Sequence, residues 1–211
     1  MGNTPGPPGL DAAYGLHGPE DVKALYGDWA GTYDAGFVAE RGYVLHEVVA
    51  AGFVAAGGAD PVLDVGAGTG LVGAALARRG VGPLHATDIS APMLAEAEAK
   101  GCYAELFEAD ITQPLACADG TYGGVVSAGT FTLGHLGPGP LAELVRITRP
   151  GGVLAIAVNA VHYEAAGFAA ALAALGPRIT GLATHSIRIY AEDAAHDHAA
   201  DLGLLVTCRA A

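Results

Sequence analysis

The sequence predicts an α/β fold: a doubly wound, mostly parallel sheet of seven strands with an antiparallel C-terminal edge pair and helices on both faces. Three observations carry this. Short apolar runs alternate with stretches of helical period between residues 62 and 158, the pattern of parallel crossovers. Cap and stop residues separate the two kinds of segment. Two further strand-like runs close the chain and are read as the antiparallel pair.

Taken in order, residues 1–19 are rich in Gly and Pro with few large apolar groups, and are expected to form a flexible tail. From Pro19 to Tyr33, Val22, Leu25, Tyr26 and Trp29 recur at three- and four-residue steps and define one helical face. A second helix is expected over residues 37–56, ending in Gly57-Gly58. Strands are expected at 62–65, 84–87, 105–109, 124–128 and 153–158.

Between them, a helix over 70–79 carries Arg78 and Arg79 at its negative end with Gly80 as cap. The next opens on Ser90 as N-cap with Pro92 in its first turn and stops at Lys100-Gly101. A helix over 140–148 stops before Arg149-Pro150-Gly151-Gly152, and an alanine-rich helix is expected over 164–175. The closing strands are residues 179–190 and 204–210. One domain is expected over 20–211: N-terminal helices (20–58), a ligand-binding core (59–158) and a C-terminal helix with edge strands (159–211).

Bulk properties narrow the partners. With 22 Asp and Glu against 10 Lys and Arg, the net charge is −12, which repels phosphate backbones and anionic lipid surfaces, so neither nucleic acid nor membrane is the expected partner. The longest uncharged stretch, Tyr122 to Ala142, is interrupted by glycines, two prolines and His135 and does not read as a membrane span. Residues 1–8 show no targeting pattern, and Gly6 stands where a myristoylation signal has Ser or Thr. Cys102, Cys117 and Cys208 form neither a disulfide framework nor a zinc motif, so a cytoplasmic setting is expected.

The chemistry is carried by Asp64-Val65-Gly66-Ala67-Gly68-Thr69-Gly70, a glycine-rich turn between a strand and a helix, where the backbone bends sharply and lies close to a ligand. Gly68, Gly70 and Gly73 also satisfy the dinucleotide spacing, which keeps a nicotinamide-dependent oxidoreductase open as a reading. Charge separates the two. A pyrophosphate favours helix amides without carboxylates, whereas Asp64, Asp88 and Asp110 fall at three successive strand ends, and no Lys or Arg occurs between Arg41 and Arg78. Such a pocket suits a cationic ligand. Asp88 is placed to accept two ribose hydroxyls, and Asp110, beside Ile111, to accept from an adenine amino group.

These segments, with Asp88-Ile89-Ser90-Ala91-Pro92-Met93-Leu94 and Arg149-Pro150-Gly151-Gly152, resemble the class I S-adenosylmethionine-dependent methyltransferases, whose sheet is Rossmann-like. The run from Tyr26 to Asp34 and that from Gly129 to Leu136 are similar to the Williams-Beuren-region methyltransferase-like group. One departure is Gly123, where similar proteins often begin the fourth strand with Asp.

The resemblance implies S-adenosylmethionine as cofactor, held by Asp64, Gly66, Ala67, Gly68, Gly70, Asp88, Ile89, Met93, Asp110, Ile111 and Ser127. It also implies an aromatic lid of Tyr26, Trp29 and Tyr33 over the sulfonium; the competing expectation is an aromatic helix face packed on the core. Methyl transfer needs alignment and exclusion of water more than a nucleophile or a metal. His135, after the fourth strand with Thr130 and Phe131, is a candidate base if the acceptor must lose a proton. The expected acceptor is a small molecule. A protein that binds S-adenosylmethionine or its demethylated product without transferring a methyl group is the alternative. The His196-Asp197-His198 stretch with Asp201 is read as an acidic connection, not a metal site.

Overall fold

The structure, a computed structural model, describes residues 18–211 together with Ala13 and Gly15. The expected tail therefore falls almost wholly outside the described residues.

Helix α1 spans Pro19–Tyr33, the bounds expected from the apolar spacing. Pro19 stands in the first turn, where a missing N–H costs nothing, and Glu20 and Asp21 face the positive end of the helix. The helix then continues through a π turn, Asp34–Val38, into one more helical turn, α2 (Ala39–Arg41), and stops at Gly42 with φ 65°. Helix α3 covers Leu45–Ala55.

The single helix expected over 37–56 is thus two pieces. Gly42 takes the left-handed conformation that ends a helix. The Ala191 N–H donates to the Gly42 carbonyl at 2.7 Å and the Val44 N–H to the Ile189 carbonyl at 3.0 Å, so Tyr43 forms a β-bridge with Tyr190. Long-range pairing breaks a segment whose apolar spacing reads as continuous.

The central elements are β1 (Val62–Val65), α4 (Leu71–Ala77), β2 (Leu84–Asp88), α5 (Ala91–Ala99), β3 (Glu105–Glu108), β4 (Tyr122–Phe131), α6 (Leu141–Ile147) and β5 (Thr148–Asn159). After them come α7 (Ala160–Ala165), α8 (Phe168–Leu175), β6 (Ile179–Arg188) and β7 (Leu202–Ala210). The strand order is β3-β2-β1-β4-β5-β7-β6, parallel from β3 to β5, with β7 antiparallel to both β5 and β6. This is the Rossmann-like, seven-stranded sheet with an antiparallel edge pair that the pattern predicts. The alanine-rich segment expected as one helix over 164–175 is split into α7 and α8 by Gly167, φ 75°.

The sheet has an apolar face on each side. Leu63, Val65, Val125, Leu154 and Ile156 pack with Leu144, Phe168 and Leu172 on one, while Val62, Val126, Val153 and Ala155 pack with Val49, Phe53, Val72 and Leu76 on the other. Strand alternation accounts for the division. Phe53 is fully buried, and its ring fills the space where Cβ atoms on Gly58 and Gly124 would lie, 2.3 Å away in each case.

Gly123, the departure noted above, follows the same logic. A Cβ there would stand 2.4 Å from the Asp60 carbonyl oxygen, so the start of β4 has no room for a side chain. Its N–H donates to the Pro61 carbonyl at 2.8 Å. Where a sheet begins this close to the preceding backbone, glycine replaces bracing by an acid with bracing by the main chain.

Candidate cofactor and acceptor site

The carboxyl ends of β1, β2 and β4 diverge around a cavity of about 230 Å³, roofed by α1. Its wall is built first by the turn after β1. Gly66, Gly68 and Gly70 have φ of 62°, 54° and 85°, which turns the chain at the strand end. Each also meets a different surface. A Cβ on Gly66 would lie 2.1 Å from the Thr130 hydroxyl oxygen of the strand beside it, and one on Gly70 would lie 2.9 Å from Ala97 and Tyr103. In front of Gly68 no described residue stands within 4 Å, leaving that backbone open to close approach by a ligand.

Asp88 completes this wall. Its Oδ2 accepts from the Gly68 N–H at 2.8 Å and its Oδ1 from the Ser90 N–H at 2.9 Å. Each oxygen keeps a further accepting position, the arrangement that takes a pair of neighbouring hydroxyls. Burial pushes the Asp88 carboxyl above its ordinary range, opposed by these backbone donors. Ser90 caps α5 by accepting from the Met93 N–H, which fixes Ile89 and Met93 on the same wall. Asp110 and Ile111 line the cavity after β3, with Asp110 Oδ1 held by the Thr112 N–H at 2.9 Å.

Of the residues expected at the site, Gly66, Ala67, Gly68, Asp88, Ile89, Met93, Asp110, Ile111, Tyr26, Tyr33 and His135 line the cavity. Asp64, Gly70, Ser127 and Trp29 do not. Asp64 shares a sheet face with Val62 and turns under α4, where it is 2% exposed. There its Oδ2 accepts from the Tyr103 hydroxyl at 2.6 Å, while Oδ1 has no partner among the described residues. Burial raises the Asp64 carboxyl to about 7, against the lowering effect of the Tyr103 hydrogen bond. Among the described residues, the carboxylates that line the cavity are therefore Asp88 and Asp110. Ser127 is buried and donates to the Val65 carbonyl at 2.7 Å, joining β4 to β1.

The aromatic helix divides its side chains between the two expectations. Trp29 is 3% exposed and packs with Phe37 and Met93 in the core beneath the roof. Tyr26 and Tyr33 face the cavity. A clamp holds this roof to the glycine turn: Asp34 accepts from the Thr69 hydroxyl at 2.6 Å through Oδ1 and from the Lys100 ammonium at 2.6 Å through Oδ2. Asp34 lies inside the run that carries the closer resemblance, which is the signal that marks it. Thr130, named above with His135, also lines the cavity, as do Tyr43 and His46, which are additions to the expected set.

A second, smaller cavity of about 50 Å³ adjoins the first and shares Tyr26, Tyr33, Tyr43, Gly129 and His135 with it. Phe37, Phe131, Ile189 and Tyr190 form much of the rest of its lining, and no Asp, Glu, Lys or Arg occurs there among the described residues. His135 sits on the wall common to both. Its Nδ1 lies 2.9 Å from the Leu133 carbonyl, which only accepts, so Nδ1 carries the proton and Nε2 accepts from the Tyr26 hydroxyl at 2.9 Å. Burial holds this imidazole below the ordinary histidine range.

In the His196–Asp201 segment, His198 Nδ1 pairs with Asp201 at 3.0 Å and the His196 ring packs edge-on against Tyr190. Among the described residues no group of three His, Cys, Asp or Glu is arranged to hold a metal.

One cavity thus brings together the Asp88 and Asp110 carboxylates, Ile111, the Gly68 backbone and the rings of Tyr26 and Tyr33, a lining whose chemistry is compatible with S-adenosylmethionine. No Lys or Arg lines this cavity among the described residues to receive a pyrophosphate.

Comparison with known proteins agrees. Residues 62–152 match a family described as a methyltransferase domain. Human methyltransferase-like protein 27, of the Williams-Beuren-region group, is 38% identical over 96 residues, covering 45% of this chain and 39% of that protein. Demethylmenaquinone methyltransferase of Beutenbergia cavernae is 33% identical over 152 residues, covering 66% of this chain and 58% of that protein. The chain thus matches less than two thirds of the length of either relative.

Among solved structures, the DhpI–SAH complex superposes with a TM-score of 0.61 at 21% identity, over 91% of this chain and 96% of the other, which shows a shared fold. The family match over residues 62–152, together with the sheet order and the glycine turn facing Asp88, supports a class I S-adenosylmethionine-dependent methyltransferase.

Proposed function

We propose that the protein transfers the methyl group of S-adenosylmethionine to a small, uncharged acceptor with an apolar body. The observation that carries this reading is the pair of adjoining cavities. One is lined by carboxylates that suit a cationic cofactor; the other is aromatic, free of charged residues among those described, and shares Tyr26, Tyr33 and His135 with the first as common lining.

Bound there, S-adenosylmethionine supplies a methyl group already activated by its sulfonium. The protein's own work is to orient and to exclude water. Asp88 and Asp110 fix the nucleoside end, and the α1 roof, clamped through Asp34 to Thr69 and Lys100, keeps solvent from the reacting end. Tyr26, Tyr33 and Tyr43 present aromatic faces to the junction where acceptor and methyl meet.

The small second cavity, more than net charge, favours a small molecule over a nucleic acid; the relative from Beutenbergia is named as a methyltransferase of demethylmenaquinone. No helix among the described residues is long and apolar enough to cross a membrane. A cytoplasmic setting is part of this proposal, on the free thiols of Cys102, Cys117 and Cys208, as is a single domain over residues 20–211.

The test is incubation with methyl-labelled S-adenosylmethionine and a panel of uncharged hydroxyl, amine and thiol acceptors, following labelled product and demethylated cofactor together. Product from an uncharged apolar acceptor is the expected result. Tight cofactor binding with label reaching only charged acceptors, nucleic acid or protein would refute the acceptor class.

A further inference from the structure

We infer that the side-chain amide of Asn159 is the recognition donor of the second cavity, and that the methyl acceptor carries a neutral carbonyl oxygen which this amide binds. The inference rests on the methyl-transfer reading above and adds one functional group to the acceptor.

Asn159 is the last residue of β5 and is 6% exposed. It lies on the same strand face as Ala157, two positions earlier, and both line the second cavity. Its orientation is fixed by the turn into α7. Asn159 Oδ1 accepts from the His162 N–H at 3.1 Å, which caps that helix and identifies the other branch of the amide as Nδ2. Nδ2 has no hydrogen-bond partner among the described residues. Nor is it sealed inside the protein: among the described residues, the unpartnered side-chain atoms shut away from solvent are His46 Nδ1, Asp64 Oδ1 and Thr87 Oγ1. Two N–H donors are therefore held unpaired at the surface of an otherwise aromatic cavity, where a ligand oxygen can satisfy them.

The neighbouring strand extends this polar end. Phe131 of β4 pairs with Val158 of β5, so Thr132 and Asn159 occupy the next positions of two adjacent parallel strands. Both line the second cavity and neither lines the first, whereas Tyr26, Tyr33, Tyr43, Gly129 and His135 form the lining common to the two. An oxygen held by Asn159 is thus set back from the shared wall and is not the atom that receives the methyl group. Asn159 is in this sense a positioning and specificity residue.

The chemistry of the donor narrows the group it takes. Because Oδ1 is committed to the cap, the amide can only donate, which matches a group that only accepts. A carbonyl oxygen is such a group; a hydroxyl or amine in its place would bring a proton that the amide cannot accept. A carboxylate would bring a charge into a cavity where no Lys or Arg occurs among the described residues, at a desolvation cost that a carbonyl avoids.

The experiment uses the full chain and aryl ketones that carry a methylatable hydroxyl, amine or thiol, each paired with the compound in which CH2 replaces C=O. Wild type, Asn159→Asp and Asn159→Ser are compared. Both substitutions keep an oxygen able to cap α7 and withdraw the two amide donors. Thermal melting and calorimetric binding of S-adenosylhomocysteine are measured on the same samples. Wild type is expected to favour the keto member of each pair by about tenfold or more in kcat/KM. Both variants are expected to lose that preference, chiefly through KM, with S-adenosylhomocysteine affinity within about threefold of wild type. In wild type bound to S-adenosylhomocysteine, the 15N side-chain amide resonance of Asn159 should move on titration with a keto compound and stay in place with its CH2 partner.

Equal handling of the paired compounds by wild type overturns the inference, as does a keto preference that survives both substitutions. A purely structural cap would lower turnover of both members of a pair alike, and that outcome overturns it too. Should the variants fail to fold, the amide resonance of wild type decides: S-adenosylhomocysteine binding with no shift by any keto compound refutes the assignment. Absence of S-adenosylhomocysteine binding by the wild type would instead bring down the methyl-transfer reading itself.

Discussion

The Tyr103 hydroxyl donates to Asp64 Oδ2 at 2.6 Å, and the Gly73 N–H donates to the same phenol oxygen at 3.1 Å. The carboxylate of the glycine turn is thereby used beneath α4 and not in the cavity. A Cβ on Gly73 would lie 2.2 Å from the Tyr103 ring, so the glycine spacing after β1 serves this buried phenol as well as the turn.

A pH dependence of stability follows from that burial. Because Asp64 titrates at about 7 in the folded protein, against 3.8 for its ordinary value, the folded state holds the extra proton in between. Its contribution is most favourable below about pH 4, declines as pH rises toward 7, and is constant above; the full span is on the order of 4 kcal/mol. Asp64→Asn should remove this slope. Denaturant melts of both proteins at pH 4 to 8 check it, and parallel curves would contradict it.

Tyr103→Phe leaves the buried carboxylate without its donor and is expected to cost about 1–3 kcal/mol at pH 8, less at pH 5 where Asp64 is protonated. Chemical denaturation at the two pH values reads the difference.

The glycines of the turn separate by consequence. Gly66→Ala forces a Cβ against the Thr130 hydroxyl and should lower the melting temperature. Gly68→Ala meets no neighbour within 4 Å among the described residues but sits at φ 54°, so its thermal loss should be smaller and its loss of cofactor affinity larger. Melting and calorimetry on the pair distinguish these effects.

Phe53→Ala empties the space over Gly58 and Gly124 and should cost about 3–5 kcal/mol with little change in cofactor affinity per folded molecule. Denaturation midpoints with active-site titration measure both.

Much of the fold was legible from local signals. Strand runs bounded by Gly, Pro and caps located the sheet, since parallel crossovers impose a period that survives in one segment of sequence. The breaks at Gly42 and Gly167 were hidden because apolar spacing continues across them and their causes are distant, as the pairing of Tyr43 with Tyr190 shows. At the site, Asp88 and Asp110, singled out by their place at strand ends, both line the cavity. Asp64 was read as a ligand contact, yet strand alternation turns it under α4, while of the two expectations for Trp29, lid or core-packed face, the helix places it in the core. The clamp of Asp34 on Thr69 and Lys100, and the meeting of Tyr26 with His135, join segments too far apart for spacing to relate.

The central claim is the cofactor, and Asp88 tests its geometry most directly. Calorimetric titration of wild type and Asp88→Ala with S-adenosylmethionine, S-adenosylhomocysteine and NAD is predicted to give wild-type binding of the first two near the micromolar range and none of NAD. The variant should lose about 1–3 kcal/mol through lost ribose hydrogen bonds. Binding of NAD in their place, or unchanged affinity in Asp88→Ala, would contradict the account.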